Sequence, residues 1–353
     1  MKRDDYIGGS ISARIYEKNL LSKNDLERLN DYDKIEDVLN ALNDSSYRES
    51  IKDLQRPSDY EKILNDELKN TYKLIEEIPN SKDLLQYFRE KYNFHNLKVM
   101  AKEVLQDENY SNLYSEIANI DLAYIKENIL KDKKNEEALV KETSIDFLAK
   151  EENVSEDDLY LSYIREALGK FRETKDPRDL DIILDKNYYE KLLADSKNIG
   201  LEGLIKFTKE KIDLTNIKIL LRIKAQNQEL DRLDEALIDG GNIEISTLKE
   251  LFILDLNQIV LKLQNYDIGK YLKDLVSKDK SLDQSMLDLE KAIDDHQMQY
   301  SKKAKDMTYG PEVLINYIIS KETEIKNLRI ILVSKVNSLS KEFTLERLRE
   351  TYA

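Results

Sequence analysis

The sequence contains no cysteine and no tryptophan, and it has only two histidines. The absence of cysteine excludes disulfide bonds, thiolate metal ligands and a cysteine nucleophile. With so few histidines no HExxH zinc motif is formed, and no glycine-rich phosphate loop of the GxGxxG or GxxxxGK[ST] type occurs. The sequence therefore lacks the common motifs of nucleotide-binding and zinc enzymes.

Glycine and proline are also scarce, with nine and four copies in 353 residues. Turns and loops depend on these two residue types, whereas the abundant Leu, Lys and Glu residues favour helices. The length is sufficient for two or three domain-sized units with well-filled cores. The composition therefore predicts an all-α protein.

Basic residues are outnumbered, because 56 Lys and Arg face 70 Asp and Glu, which gives a net charge of −14. Such a surface argues against nucleic acid as a partner, and against direct binding to anionic lipid. No apolar run approaches the ~18 residues of a membrane helix, and the N-terminus lacks the apolar core of a signal peptide. Any membrane association is therefore expected to involve a protein partner.

The most regular stretch follows Gly310-Pro311-Glu312 and continues to about Leu332. Glycine is a tolerated N-cap, proline suits the first helical turn, and a carboxylate there interacts favourably with the helix dipole. Glu322 and Arg329 lie seven residues apart and form a charged ridge. Apolar residues on the other side, at steps of three, four or seven, predict a largely buried helix: Leu314, Ile318, Ile325, Leu328, Leu332, Val336 and Leu339.

The ten residues around Asn327 have two earlier counterparts, around Asn216 and Asn96. Each copy has an apolar residue two positions before the asparagine and an aliphatic residue after it, followed by a base and two more apolar positions. This threefold repeat predicts three similar helical-bundle domains with pseudo-threefold symmetry, at residues 1–115, 116–233 and 234–353.

The two ends of the chain also resemble one another. The four-residue sequence Leu26-Glu27-Arg28-Leu29 is nearly repeated at residues 345–348. A related sequence at residues 248–251 follows the second copy of the repeat, around Asn216. The chain thus begins with the part of a unit that normally comes after a copy. We therefore expect the terminal helices to pair across the seam between the first and third units.

Serine residues three positions before an acidic residue predict helix starts. Ser58 with Glu61, and Ser155 with Asp158, each have the spacing of a capping box. Of the two histidines, His95 is interpreted as a packing or partly exposed residue, and His296 as part of a solvated helix end.

The C-terminal segment GPE…YIISKETEIKNLRIIL resembles that of the C subunit, also called the d subunit, of the V-type and A-type rotary ATPases. A weaker pattern, Tyr6…Ala13-Arg14…Leu20-Leu21, is similar to the start of the same family. The resemblance covers the whole length, and it is strongest in the last fifty residues. It implies a funnel-like arrangement of three helical domains without catalytic activity, cofactor or metal.

The resemblance also implies a function in the central rotor. A protein of this family couples the shaft, made of the D and F subunits, to the membrane rotor ring of proteolipid subunits. It transmits torque for ATP-driven ion transport or for ATP synthesis. It is peripheral on the cytoplasmic side of the membrane, held through the ring and without direct lipid binding.

No catalytic, cofactor-binding or metal-binding residue is carried over from the family. Six positions match its strongest motif and are candidate interface positions, although they equally suit a role in framing the helix: Gly310, Pro311, Glu312, Glu322, Asn327 and Arg329. Two other functions remain open at this point. One is a freestanding soluble helical adaptor or scaffold, and the other is a helical enzyme whose metal ligands are all acidic.

Overall fold

The computed structural model describes residues 3–134, 155–273 and 282–352. Across these ranges the regular elements are α-helices and short 3-10 helices, and no strand occurs. The prediction of an all-α protein is confirmed. None of the helices in the described ranges has the length and apolar character needed to cross a lipid bilayer.

The α-helices are numbered here in chain order over the described residues. They are α1 Ile7–Glu17, α2 Lys23–Asp31, α3 Ile35–Ala41, α4 Arg48–Lys52, α5 Tyr60–Glu76, α6 Lys82–Gln106, α7 Leu122–Lys134, α8 Glu156–Thr174, α9 Pro177–Ile199, α10 Glu202–Ala225, α11 Leu230–Ala236, α12 Ile245–Phe252, α13 Leu256–Leu263, α14 Gly269–Leu272, α15 Leu282–Lys302, α16 Pro311–Val336 and α17 Lys341–Arg347. Short 3-10 helices lie at Arg3–Tyr6, Leu42–Asp44, Pro57–Asp59 and Ser111–Leu113.

Contacts within the chain define two compact units. The first unit comprises Met1–Leu85 and Leu254–Ala353, and the second comprises Gln86–Ile253. The first unit therefore contains both ends of the chain, and the boundary falls within α6. The three domains expected from the repeat, 1–115, 116–233 and 234–353, stay a prediction.

In the first unit α16 is the central helix, against which α1, α5 and α15 pack. It begins as predicted, with Gly310 as N-cap and Pro311 in the first turn. Gly310 has a φ of 139°, which only glycine adopts readily. The apolar stripe is buried as far as Leu332, but the prediction fails beyond it. Val336 and Leu339 are 50% and 40% exposed, because the helix ends at Val336 and the chain leaves its face there.

The second unit is built on the hairpin of α8 and α9, with α7 against α8 and α10 against α9. An aromatic cluster lies among α6, α8 and α9. In this cluster the Phe94 ring centroid is 6.0, 5.4 and 5.6 Å from those of Tyr160, Tyr163 and Tyr188. Edge-to-face and tilted packing of this kind adds to the apolar burial of the rings.

The two predicted capping boxes differ in outcome. At α8 the Ser155 hydroxyl accepts a hydrogen bond from the Asp158 N–H, and the Asp158 carboxylate accepts one from the Ser155 N–H, so this capping box is confirmed. The box at Ser58 is wrong. Ser58 lies inside a 3-10 turn that starts at Pro57, its hydroxyl donates to the Asp59 carboxylate, and α5 begins only at Tyr60.

Candidate functional site

The side chain of Asn327, in the middle of α16, is completely buried and holds the backbone that follows α17. Its Nδ2 donates to the carbonyl of Arg349 at 3.0 Å, and its Oδ1 accepts from the N–H of Arg349 at 2.7 Å. Both ends of the amide are thus satisfied by one peptide segment. We call this pair of hydrogen bonds an asparagine clamp.

The same clamp occurs at the other two asparagines of the repeat. Asn216 on α10 donates to the carbonyl of Ile238 at 2.7 Å and accepts from its N–H at 2.9 Å. Asn96 on α6 makes the same two bonds with Ser115, at 3.0 and 2.8 Å. All three asparagines are 0% exposed. The repeat found in the sequence therefore corresponds to a repeated hydrogen-bond geometry.

One helical turn before the clamp, a second polar side chain caps the next part of the returning chain. In the first copy Asn93 accepts from the N–H of Asn119 at 3.0 Å. In the second copy Asp213 accepts from the N–H of Ile243 at 3.0 Å, and burial raises the pKa of this carboxyl group. We call α6, α10 and α16, the helices that carry Asn96, Asn216 and Asn327, the signature helices. Each of the first two thus fixes two points of the segment that follows it.

In the third copy the corresponding residue, Glu324, accepts instead from the N–H of Leu21 near the start of the chain. A lysine eight residues after the clamp asparagine extends this correspondence in the second and third copies. Lys224 donates to the carbonyl of Phe252 at the end of α12, and Lys335 donates to that of Asn30 near the end of α2, at 2.7 Å. Helix α2 therefore occupies the same position next to α16 that α12 occupies next to α10.

A buried charge cluster lies in the first unit around Lys321, whose side chain is 1% exposed. Its ammonium group is 2.7 Å from the Glu324 carboxylate and 2.9 Å from that of Glu67 on α5. The hydroxyl groups of Tyr47 and Ser46 donate to these two carboxylates at 2.8 and 2.6 Å. Burial acts to lower the pKa of Lys321, but the carboxylates of Glu324 and Glu67 outweigh it and raise that pKa.

This cluster was not predicted, although the sequence contains a signal for it. In the apolar stripe of α16 the residue after Ile318 is Ile325, seven positions later, whereas elsewhere the steps are mostly three or four. One turn of the helix therefore lacks an apolar residue on its inner face. Lys321 occupies that inner position. A base on a buried face requires carboxylate partners, because an unpaired buried charge is very costly. The sequence pattern does not reveal which carboxylates these are.

A second buried charge cluster lies in the second unit. Glu90 on α6 is 0% exposed, and its carboxylate accepts from the Tyr160 hydroxyl at 2.8 Å. Lys191 on α9 lies 3.4 Å from Glu90 and 2.8 Å from Asp195. Burial raises the pKa of Glu90, and the charge of Lys191 opposes this effect. Each unit therefore has helices joined by an interior ion pair.

The start of α16 contacts the first segment of the chain. The N–H of Gly310 donates to the hydroxyl of Ser10 at 3.0 Å, and Pro311 is buried beside it. Glu312 lies 3.4 Å from the guanidinium of Arg3. These three predicted positions therefore have intramolecular roles in fixing the N-terminus of the helix.

The predicted charged ridge of α16 faces α5. Glu322 accepts from the hydroxyl of Tyr72 at 2.7 Å, and Arg329 lies 2.9 Å from the carboxylate of Glu61. Together with Asn327, both ridge residues thus have partners within the first unit. A contact with another protein of a complex at the six motif positions stays a prediction.

Neither histidine lies in a cluster of metal ligands among the described residues. His95 is exposed, and its Nε2 is 2.9 Å from the carbonyl of Leu113. His296 is 3% exposed, and its ring centroid lies 5.0 Å from that of Tyr271 with the two rings nearly perpendicular, so the solvated helix end predicted for it is wrong. In the described ranges no three His, Asp or Glu side chains are grouped closely enough to hold a metal ion.

Comparison with known proteins decides the family. The family described as "ATP synthase (C/AC39) subunit" matches residues 12–347. The chain belongs to this family. The resemblance expected from the C-terminal segment is therefore confirmed, and the match covers the asparagine clamps of all three copies except for the backbone of Arg349.

Several relatives align with most of the chain, and three of them represent the V-type and A-type enzymes. The C subunit of the V-type sodium ATPase of Enterococcus hirae is 25% identical over 336 residues, which cover 95% of both chains. The C subunit of the A-type ATP synthase of Methanocaldococcus jannaschii is 26% identical over 94% of this chain and 84% of its own length. The C subunit of the A-type ATP synthase of Thermoplasma volcanium is 26% identical over 96% of each.

Proposed function

We propose that this C/AC39 chain is a non-catalytic part of the central rotor of a V-type or A-type ATPase. It couples the shaft, made of the D and F subunits, to the membrane ring of proteolipid subunits. It transmits torque between them during ATP-driven ion transport or ATP synthesis. The family match over residues 12–347 is the observation that carries this proposal.

The relatives' names support the same assignment, because these proteins are the C subunits of a V-type sodium ATPase and of A-type ATP synthases. On this proposal the chain is peripheral on the cytoplasmic side of the membrane and is held there by the ring. Three similar helical-bundle domains around a common axis suit such a position, since neither end would then be loaded off-centre.

The interior of each unit suits a part that carries mechanical load. Close-packed helices have low compressibility, so a displacement at one side is passed on rather than absorbed. The clamps at Asn327, Asn216 and Asn96 tie each signature helix to the segment that follows it. Because these hydrogen bonds are buried, breaking one leaves polar groups without water or a partner. This energetic cost opposes local deformation of the helix under load.

The test is to isolate the tagged full-length chain from detergent-solubilised membranes of its own host. We expect the D and F subunits of the shaft and the proteolipid ring to co-purify with it, and a mild chaotrope to release it. Recovery of the chain only from the soluble fraction, without any other ATPase component, would favour the freestanding adaptor and contradict the proposal.

The motif positions are tested by comparing two equivalent asparagines. Asn327→Leu and Asn216→Leu are each expected to destabilise the fold, because each removes one clamp. If Asn327→Leu additionally loosens the complex, as measured by the amount of shaft proteins recovered at equal folded protein, the C-terminal copy contacts a partner. Equal recovery with both variants would assign Asn327 a purely internal role.

A further inference from the structure

Helix α1 is held firmly along its inner face. A side-chain carbon added at Gly9 would lie 2.4 Å from Ile78 and 3.6 Å from Leu314, so the helix backbone directly contacts its neighbours. The hydroxyl of Ser10 accepts from the N–H of Gly310 at 3.0 Å, and the Arg14 guanidinium donates to the carbonyl of Met307 at 2.7 Å. These contacts along its inner face fix the position of α1.

The outer face of α1 carries an apolar stripe that the described residues leave about half exposed. Ile7, Ile11 and Ile15 are 46%, 60% and 56% exposed, and their spacing of four places them on one ridge of the helix. Isolated exposed aliphatic residues are common, but a contiguous row of three on a rigid helix indicates an interaction surface.

A groove of about 370 Å³ is lined by Gly8, Ser12 and Tyr16, each of which directly follows one of the three ridge isoleucines along α1. Its lining also includes Leu74 near the end of α5, and Ile78 and Pro79 just after that helix. A side-chain carbon added at Gly8 would meet nothing within 4 Å, so the groove is open at this residue. An i, i+4 ridge next to a groove with small residues at positions 8 and 12 is a geometry into which a second α-helix packs.

The groove is acidic. Asp5 and Glu77 line it, no lysine or arginine does, and neither carboxylate forms an ion pair with a described residue. Asp4 and Glu76 are exposed immediately next to them in the sequence. Like charges oppose the docking of a second copy of this chain, which also has a net charge of −14, and they oppose an anionic lipid surface.

The size of the surface also argues against self-association. Three half-exposed isoleucines present on the order of 300 Å² of apolar area, comparable to the largest patch of a typical monomer. A stable dimer buries about 800 Å² on each partner. A single helix belonging to a larger interface fits this surface better than a second copy does.

We propose that the ridge of Ile7, Ile11 and Ile15, with the groove beside it, binds an amphipathic α-helix of a partner protein. That helix presents an apolar ridge flanked by lysine or arginine residues, which pair with Asp5 and Glu77. The inference does not depend on which protein supplies the helix, and it adds a specific surface to the function proposed above.

The test uses the full-length chain in its host, with the photoreactive residue benzoylphenylalanine in place of Ile11. After irradiation the crosslinked peptides are identified by mass spectrometry. We expect one dominant peptide from another protein, with apolar residues at helical spacing and flanking Lys or Arg. The same photoreactive residue in place of Ile253, which is 82% exposed, is the control and should not capture that peptide.

A crosslink to lipid, a crosslink to a peptide of this same chain, or no crosslink to any protein would each overturn the inference. The proposed function is judged separately by the identity of the peptide. A basic helix from a protein outside the ATPase, together with failure of the ATPase subunits to co-purify, supports the docking surface and contradicts the function. Co-purification with the ATPase without a crosslink at position 11 supports the proposed function and contradicts the docking surface.

Charge and shape are then tested by substitution. The readout is the crosslink formed by a photoreactive residue in place of Ile7. Ile11→Asp should reduce the yield of this crosslink by at least about tenfold. Glu77→Lys should reduce it severalfold. Ile253→Asp should leave it unchanged. Because all three substitutions are at exposed positions, thermal unfolding should stay within a few degrees of the parent chain. An undiminished crosslink in the Ile11→Asp and Glu77→Lys variants would contradict the proposed ridge and groove.

Discussion

The amide of Asn327 and the backbone of Arg349 exchange two hydrogen bonds, at 3.0 and 2.7 Å, in the interior of the first unit. Asn216 and Asn96 make the same exchange with residues that follow their own helices. An asparagine can donate and accept at once, which neither leucine nor ionised aspartate can do. This explains why asparagine stands at the centre of each copy of the repeat.

Removal of a clamp should destabilise the fold. Asn327→Ala leaves the N–H and the carbonyl of Arg349 without partners, and it creates a cavity beside α16. We expect a loss of about 2–4 kcal/mol in the free energy of unfolding, measured by urea denaturation. Asn216→Ala should cost a similar amount in the second unit.

The matched control for the clamp is Asn337→Ala. Asn337 is exposed, and its side-chain Nδ2 donates a hydrogen bond to the carbonyl of Val333 at 2.8 Å. Its replacement should change the stability by less than about 0.5 kcal/mol. Equal effects of Asn327→Ala and Asn337→Ala would show that the clamp contributes nothing specific.

Breaking the buried cluster of Lys321 should be more damaging than breaking a surface pair. Lys321→Met leaves the carboxylates of Glu67 and Glu324 close together without their cation, at an expected cost of about 3–5 kcal/mol. Lys52→Met serves as the control, because Lys52 is half exposed and, within the described ranges, forms an ion pair only with exposed Glu49. Its effect should stay below about 1 kcal/mol.

A triple variant separates lost charge balance from lost packing. Adding Glu67→Gln and Glu324→Gln to Lys321→Met removes the uncompensated charges, so part of the stability should return. If the triple variant is less stable than Lys321→Met alone, packing of the lysine stem rather than charge balance explains the loss.

Alkaline pH should destabilise both units through Tyr317, which is buried, and Tyr189, which is partly buried. Burial raises the pKa of Tyr317 and of Tyr189 from 10.0 to about 12. A raised folded-state pKa contributes stability that is fully present below pH 10 and is lost as the pH rises through 12. Each contributes roughly 2–3 kcal/mol. Tyr317→Phe should therefore flatten the decline in stability between pH 10 and 12, and an unchanged slope would contradict this assignment.

Arg14 should determine the order of the C-terminal segment. Its guanidinium donates to the carbonyls of Ala304 and Met307 at 2.5 and 2.7 Å and to the hydroxyl of Tyr352 at 2.9 Å. Lysine cannot reproduce this planar set of donors. Arg14→Lys should accelerate amide hydrogen exchange at residues 348–352 and cost about 1–3 kcal/mol.

The control for this prediction is Arg28→Lys. Arg28 is 65% exposed, and among the described residues its guanidinium forms an ion pair only with Asp25, one turn away on the same helix. Hydrogen exchange near the C-terminus should remain as in the parent chain. Unchanged exchange in the Arg14→Lys variant would mean that other contacts hold the C-terminal segment in place.

Local patterns in the sequence predicted local structure well. The Gly310-Pro311 start of α16 and the Ser155 capping box are both confirmed, because each depends on residues within one helical turn. The Ser58 box failed for an equally local reason, since Pro57 starts a 3-10 turn that places Ser58 one residue too early.

Long-range partners could not be predicted in the same way. The sequence marks Asn327 as the centre of a repeat, but its partner is set by where the chain returns after α17. Lys321 could have been recognised as a buried base, whereas the choice of Glu67 depends on the packing of α5 against α16. Likewise, no pattern links Glu324 to Leu21, which is 303 residues away.

Ion uptake into inverted membrane vesicles, measured together with ATP hydrolysis, tests the proposed coupling role most directly. The comparison is between vesicles that contain the complete ATPase and vesicles stripped of this chain alone. We expect stripped vesicles still to hydrolyse ATP but to take up no ions, and we expect addition of the purified chain to restore uptake. Undiminished uptake per ATP hydrolysed in its absence would contradict a role in coupling.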